Sequence, residues 1–274
     1  MKEVSLDGSA PRDREDRLTT EEPLEIRLAW PGHPAERLSV TMRTPGHDFE
    51  LTAGFLHGEG LIGADSDLHT IAYCADHTLT TDERFNVVTA ELAVPPRRSP
   101  TAQYAGVSAP ASACGVCGKQ SIQDVMAVCA VTDHRRWAGL SVPAEVIASL
   151  PDRLRGAQRV FDTTGGLHAA GLFEADGSPV VVREDVGRHN ALDKVVGSRV
   201  LGGATTALPL LCVSGRIGFE LAQKAVAAGV GVIAAVGAPS SLAVSLAAEA
   251  GLCTVGFVRG GRFVIYSAPE RIGV

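Results

Sequence analysis

Aromatic residues are scarce in this chain of 274 residues, making up 5% of the composition. The chain also has no long block of like charges, and its formal net charge is -6. These two features disfavour a protein that stacks on nucleic-acid bases or holds their phosphates with a basic tail. The N-terminal residues carry charges of both signs and no apolar core, so we expect no signal peptide.

The sequence lacks a second C-x-x-C pair, and its six cysteines follow no regular spacing. This spacing does not indicate a disulfide framework, and it favours a reducing, cytoplasmic environment. The one pair is Cys114 and Cys117. A structural zinc site usually has four thiolate or histidine ligands, and one pair supplies only two of them, so structural zinc is disfavoured. A helical pattern over 120–128 follows, and its N-terminus together with Lys119 favours a thiolate. A redox disulfide and a nucleophilic sulfur with an assisting thiol both stay open.

Composition divides the chain into four segments. Residues 1–22 are polar and predict a disordered or loosely attached tail. Residues 23–94 combine alternating strand patterns with one helical pattern, which predicts a small α+β domain. Residues 95–118 are rich in Pro, Ala and Ser and predict a mobile linker that carries the cysteine pair. Residues 119–274 are predicted to form the main domain, of the α/β class.

Three apolar runs near the C-terminus, over 210–213, 231–236 and 252–257, alternate with helical patterns. This order predicts three parallel strands whose carboxyl ends meet at one edge of a sheet. Glycine, serine and arginine residues follow each run, and such strand ends and helix N-termini favour phosphate groups. The chain has neither G-x-G-x-x-G nor a P-loop lysine motif, so we expect a nucleotide or phosphorylated cofactor without hydride transfer or NTP hydrolysis.

Two further features bear on the class of protein. The stretch 225–248 has no charged residue and is long enough to span a bilayer, but its glycines and proline predict buried α/β core instead. A second stretch, 183–194, concentrates ionisable residues at a predicted strand-to-helix junction. We interpret Glu184, Asp185, Arg188 and His189 there as the wall of a pocket.

Several blocks of the sequence are specific in combination. They are RTPGHDFELTAGFLHGEG from Arg43, SACGVCGK from Ser112, FDTTGGLHAAG from Phe161, REDVGRHNALDKVVG from Arg183, VSGRIGFELAQKAVAAGV from Val213, GAPSSLAVSLA from Gly237 and VGFVRGGRF from Val255. Over about residues 20–267 the chain thereby resembles the FdhD family of formate dehydrogenase accessory sulfurtransferases.

The resemblance implies a homodimeric, cytoplasmic sulfur carrier. Its main domain would have a cytidine-deaminase-like, three-layer α/β fold without deaminase chemistry. It would accept persulfide sulfur from a cysteine desulfurase and pass it to the molybdenum bis(molybdopterin guanine dinucleotide) cofactor of the formate dehydrogenase catalytic subunit. That guanine-nucleotide-bearing cofactor is bound as a client, and the resemblance implies no structural metal and no nucleic-acid or membrane partner.

The resemblance also assigns roles to particular positions. Cys114 would hold the persulfide, and Cys117 would assist or resolve it. Contact with the cofactor would fall to one continuous block, formed by Phe257, Val258, Arg259, Gly260, Gly261 and Arg262. The loops of Ser214 and Ser240 would help to hold the guanine nucleotide ends.

Three other classes of protein stay open. A thiol–disulfide oxidoreductase predicts a disulfide between Cys114 and Cys117 and needs no phosphate pocket. A non-catalytic chaperone that binds the cofactor or its enzyme predicts that Cys114 is dispensable. A zinc hydrolase of the deaminase type would combine the cysteine pair with His57 and Glu59 in an H-x-E motif. Because alanine precedes Cys114 where deaminases have proline, we instead expect a helix cap at His57 and a solvated acid at Glu59.

Overall fold

The computed structural model of the chain describes residues 1–4, 6, 10–64, 67–74, 80, 84–100 and 134–273. The predicted cysteine pair, most of its linker and the helix predicted over 120–128 lie outside these residues. Two described regions of the fold lie on either side of that segment.

The N-terminal residues contain a short antiparallel ladder, in which β1 (Lys2–Glu3) pairs with β2 (Arg12–Asp13). Opposite charges face each other across it, with Lys2 Nζ 2.8 Å from Asp13 and Arg12 Nε 2.7 Å from Glu3. These cross-strand pairs join two short stretches that have little apolar surface to bury. The disordered or loosely attached tail over 1–22 stays a prediction.

The region before that segment is a four-stranded sheet with one helix. Its strands pair in the order β4-β3-β6-β5, and β3 and β4 form the antiparallel hairpin that the alternating sequence predicts. The turn of that hairpin contains Gly32, whose φ of 85° suits glycine. The elements are β3 (Glu22–Trp30), β4 (His33–Arg43), α1 (Asp48–Gly58), β5 (Leu68–Tyr73) and β6 (Val87–Leu92).

The region after that segment is built on a six-stranded sheet with the order β13-β12-β11-β10-β8-β9. The predicted parallel arrangement is confirmed, because β10, β11 and β12 pair in parallel. The hairpin of β8 and β9 adds to β10 in antiparallel fashion, and β13 adds to β12 in the same way. The strands are β7 (Val142–Pro143), β8 (His168–Phe173), β9 (Pro179–Asp185), β10 (Leu210–Val213), β11 (Val232–Ala235), β12 (Cys253–Arg259), β13 (Arg262–Ser267) and β14 (Ile272–Gly273).

Helices cover both faces of this sheet. They are α2 (Ala144–Gly156), α3 (Arg159–Thr164), α4 (Arg188–Leu201), α5 (Phe219–Ala228) and α6 (Ser241–Ala250), with 3-10 turns at His134–Trp137 and Pro269–Arg271. Successive strand residues alternate between the faces: Leu210 and Cys212 pack with α2, whereas Leu211 and Val213 pack with α4, α5 and α6. The mixed α/β fold with three layers is therefore confirmed.

The uncharged stretch 225–248 forms the end of α5, strand β11 and most of α6, as its glycines and proline predict. The residues of β11 are fully buried between the two helical layers. None of the helices in the described part of the chain is both long and apolar enough to cross a bilayer.

Helices α1 and α4 cross in backbone contact. A Cβ atom on Gly54 would overlap the carbonyl oxygen of Asp193, and one on Gly197 would overlap that of Glu50. One apolar cluster continues through the crossing, from Leu24 in the small sheet to strands of the large one. The division into domains at 23–94 and 119–274 stays a prediction, and the described residues of both share this core.

Candidate functional site

The carboxyl ends of β10, β11 and β12 meet at one edge of the large sheet, as the sequence predicts. The backbone N–H of Gly237 donates to the carbonyl oxygen of Gly215 at 3.2 Å, and that of Phe257 donates to Gly237 at 3.2 Å. The three loops that follow these strands are thus joined side by side. We call this surface the strand-end edge, defined by residues 214–218, 237–240 and 257–262.

The first loop presents Ser214, which is half-buried. Its Oγ accepts a hydrogen bond from the backbone N–H of Ala169 at 2.9 Å and lies 3.5 Å from Nδ1 of His168. The oxygen is the acceptor in the first bond, and the direction of the second depends on which ring nitrogen of His168 carries the proton.

The second loop presents Ser240, which is exposed and is the N-cap of α6. Its Oγ accepts from the backbone N–H of Ala243 at 3.2 Å. This bond satisfies one of the amide donors left over at the start of a helix. The capping role is structural, and the hydroxyl proton remains to donate.

The third loop is the hairpin between β12 and β13. Arg259 pairs with Arg262, and Gly260 and Gly261 between them have φ angles of 58° and 71°. Two consecutive positive φ angles are typical of the tight type I′ turn, which favours glycine at both positions. The turn holds both arginine side chains exposed at its tip.

The two residues before this turn differ in exposure, because Val258 is buried and Phe257 is exposed. Val258 is fully buried in the apolar cluster of the α2 face, so its side chain cannot contact a ligand there. Phe257 is 38% exposed and has a φ of 55°. A non-glycine residue in that conformation costs on the order of 1 kcal/mol, and such strain persists where the surrounding structure enforces it. This backbone conformation places an aromatic ring at the strand-end edge.

Sequence reasoning missed the contribution of His168 to this edge. Because β8 runs antiparallel to β10, its first residue lies beside the last residues of β10. Burial, followed by the positive charge of Arg188, lowers the pKa of His168. A histidine with a lowered pKa is neutral near pH 7 and can donate one N–H without adding charge.

Arg188, the first residue of α4, also lies at this edge. Its Cδ would be 3.9 Å from a Cβ atom on Gly215, and its Nε is buried with no hydrogen-bond partner in the described part of the chain. The sequence indicated Arg188 as one of several pocket residues, but the signal did not distinguish it from its neighbours.

The other ionisable residues of that stretch support the fold, which corrects the interpretation of all four as a pocket wall. Glu184 accepts hydrogen bonds from the first amides of α3, those of Val160 at 2.9 Å and Phe161 at 2.8 Å. Asp185 is fully buried and lies 2.7 Å from Lys194. His189 Nε2 lies 3.0 Å from Glu220. These carboxylates are already engaged, which leaves Arg188 free to bind another group.

The charge at the strand-end edge is positive. Within the described residues, Arg188, Arg216, Arg259 and Arg262 form neither ion pairs nor side-chain hydrogen bonds. Helices α4 and α5 also begin here, and the N-cap residues Gly187 and Gly218 provide no side-chain cap. Helix N-termini and unpaired guanidinium groups both favour anions, above all phosphates.

Residues 19–273 match the model of the FdhD/NarQ family. The chain belongs to the FdhD/NarQ family. It is 50% identical over 280 residues to a Streptomyces coelicolor protein named sulfur carrier protein FdhD, covering 100% of this chain and 95% of that protein. It is 49% identical over 268 residues to a Mycolicibacterium paratuberculosis protein of the same name, covering 95% and 93%. The family resemblance seen in the sequence is therefore confirmed.

A solved structure shares the fold. It comes from Desulfotalea psychrophila and is provisionally described as a formate dehydrogenase accessory protein. The TM-score is 0.71 at 23% sequence identity, and the match covers 100% of this chain and 98% of that one. At this identity the likeness concerns the fold alone.

In this member of the FdhD/NarQ family the H-x-E motif is a buried structural feature. Glu59 is 7% exposed, so the expectation of a solvated acid is wrong. Burial lowers the pKa of Lys224, but the charge of Asp193, which Lys224 binds through both carboxylate oxygens at 2.7 and 2.9 Å, and then that of Glu59 raise it above the ordinary value. Burial, then the charges of Lys224 and Arg97, lowers the pKa of His57 to about 4.

The predicted sulfur chemistry belongs to Cys114 and Cys117, which lie outside the described residues. Among the residues that the structure describes, no three His, Cys, Asp or Glu side chains are placed to hold a metal. Cys212 and Cys253 are buried, and burial raises the pKa of each thiol to about 12, so neither offers a thiolate.

Proposed function

We propose that this chain is a sulfur carrier that accepts sulfur on Cys114 and delivers it to a molybdenum cofactor bearing guanine nucleotides. The observation that carries the proposal is its identity of about one half, along the whole chain, with relatives named as sulfur carriers. The strand-end edge supports the nucleotide part, because its unpaired arginines suit phosphate groups.

Sulfur loading needs one thiolate. The thiolate of Cys114 attacks the terminal sulfur of a persulfide on a cysteine desulfurase. A new S–S bond forms at Cys114, the S–S bond of the donor breaks, and the donor cysteine leaves as a thiolate. The product is a persulfide on Cys114, with no net change in oxidation state.

Delivery gives Cys117 its role. The thiolate of Cys117 attacks the sulfur of Cys114, and hydrosulfide leaves to the metal of the bound cofactor, which is the substrate of this step. The two cysteines end as a disulfide, so their thiols supply the two electrons that reduce the transferred sulfur. A cellular dithiol then reduces the disulfide for the next cycle.

The nucleotide ends of the cofactor occupy the strand-end edge in this proposal. Arg259 and Arg262 bind phosphate oxygens from the tip of the turn, and the exposed ring of Phe257 stacks on a guanine base. The hydroxyl protons of Ser214 and Ser240 donate to the nucleotide. The proposal also includes a cytoplasmic homodimer, a cysteine desulfurase as sulfur donor and a formate dehydrogenase catalytic subunit as recipient.

The test is the intact mass of the protein after incubation with a cysteine desulfurase and cysteine. The wild type should gain the mass of one sulfur atom, and a thiol reductant should remove it. Cys114→Ala should abolish the gain, and Cys117→Ala should retain it because loading uses the first thiol alone. Loading that survives in Cys114→Ala would contradict the proposal. A stable internal disulfide or stoichiometric zinc, without any gain, would favour the oxidoreductase or the hydrolase.

A further inference from the structure

We propose that Arg188, together with Ser214 and His168, forms a phosphate-binding subsite separate from the block 257–262. The inference rests on the proposed function in one respect, because the phosphate it assigns is carried by the bound guanine nucleotide. The subsite lies at the β8–β10 side of the strand-end edge, whereas the arginine turn lies at the β12–β13 side.

Arg188 is the main evidence for the subsite. The residue is partly buried, its Nε is fully shielded from solvent, and its guanidinium has no hydrogen bond or ion pair within the described chain. A shielded polar donor without a partner is unfavourable. A bound anion would remove that cost, since a guanidinium can hold phosphate through two parallel hydrogen bonds.

The carboxylates near Arg188 are already occupied by other groups. Asp185 binds Lys194 and accepts from the backbone N–H of Gly187 at 2.8 Å. Glu184 accepts hydrogen bonds from the start of α3, and Glu220 lies 3.0 Å from Nε2 of His189. These carboxylates contact other groups, so the positive charge of Arg188 is available to a ligand.

The neighbouring groups are suited to the same anion. Gly215 lies between His168 and Arg188, because a Cβ atom on it would lie 3.4 Å from Nδ1 of the first and 3.9 Å from Cδ of the second. The Ser214 hydroxyl lies 3.5 Å from the same Nδ1, which places a third polar group beside Arg188 and His168. The 14-residue helix α4 begins at Arg188 without a side-chain cap, so its first amides and its dipole add to the positive potential.

The test is isothermal titration calorimetry, which measures the binding of guanosine diphosphate, guanosine and inorganic pyrophosphate to the full-length protein. Arg188→Gln should weaken the binding of the diphosphate and of pyrophosphate at least tenfold and leave the binding of guanosine unchanged. Arg199→Gln is the matched control, because Arg199 lies on the same helix at its far end and bonds Thr205 there. That variant should bind all three probes as the wild type does.

Each other outcome has a definite meaning. Normal binding of the diphosphate by Arg188→Gln, with weaker binding by Arg259→Gln, would overturn the subsite and leave the proposed function standing. A variant that loses pyrophosphate but not the diphosphate would show a site for free anions, which overturns the nucleotide assignment. A wild type that binds none of the probes would overturn both the subsite and the cofactor part of the proposed function, while loading of Cys114 would still test sulfur carriage. Should Arg188→Gln not fold, Arg188→Lys replaces it in the test. This variant keeps the positive charge but lacks the planar guanidinium that makes two parallel hydrogen bonds, so it should also bind the diphosphate more weakly.

Discussion

His57 shows how a single buried side chain can make the stability of this protein depend on pH. Its ring is buried, and Nδ1 has no hydrogen-bond partner among the described residues. Its pKa falls from 6.5 to about 4, chiefly because burial disfavours the charged ring. Between these values the unfolded chain binds a proton that the folded chain does not. Stability is therefore present above the unfolded pKa and is lost as the pH falls through this window.

We expect this histidine to account for about 2 kcal/mol of the free energy of unfolding that is lost between pH 7.5 and pH 5.0. Urea unfolding of the wild type and of His57→Gln at both pH values measures the contribution. The variant should lose less stability than the wild type, whatever its stability at pH 7.5. His168, whose pKa is also lowered, is present in both proteins and cancels in the comparison. Equal losses would show that His57 is not buried in its neutral form.

The burial of Glu59 could not be predicted from the sequence. Glu59 follows a helix in a glycine-rich stretch, and such a position is usually solvated. Its burial depends on Lys224, which is distant in sequence and comes close only through the packing of α5 against α1. No local pattern around residue 59 carries that information. By contrast, the Gly260–Gly261 turn could be predicted locally, because positive φ angles select glycine.

At the scale of elements, the crossing of α1 and α4 holds the two sheets together. The crossing depends on Gly54 and Gly197, which permit contact between the two backbones. Both glycines lie inside helices, where alanine would be preferred if packing allowed it. Their presence is explained by the close approach and not by helix propensity.

We expect Gly197→Ala to destabilise the protein by about 1–3 kcal/mol or more, because the new methyl group must push α1 away from α4. Chemical unfolding measures the change. Gly156→Ala is the matched control, since Gly156 is also helical and a Cβ atom there meets nothing within 4 Å. That substitution should be neutral or stabilising by up to about 1 kcal/mol. Equal effects of the two substitutions would contradict the crossing.

The sequence predicted the parallel strands β10, β11 and β12, because buried parallel strands are continuous apolar runs separated by helical patterns. It did not predict that the β8–β9 hairpin joins the same sheet beside β10. That pairing is set by tertiary packing, because helix α4 separates the two strands from β10 in the sequence. The position of His168 at the strand-end edge follows from this pairing, which is why sequence analysis missed it.

At the scale of the whole molecule, the large sheet positions an edge with unpaired arginines, while the proposed sulfur chemistry belongs to a pair of cysteines elsewhere in the chain. The fold class and the parallel core could be predicted from patterning, and the roles of Cys114 and of residues 257–262 were implied by the family resemblance. Family membership is confirmed along residues 19–273. The central claim is that sulfur passes from Cys114 to a molybdenum cofactor held at this edge.

Transfer can be measured directly with radiolabelled sulfur. The protein is loaded by a cysteine desulfurase and labelled cysteine, freed of donor, and mixed with a cofactor-bearing formate dehydrogenase made in cells that lack this protein. We predict that the label leaves Cys114 and appears with the molybdenum cofactor in a single turnover, and that Cys114→Ala transfers none. Label that stays on the protein until a thiol reductant releases it, with none on the cofactor, would contradict the account.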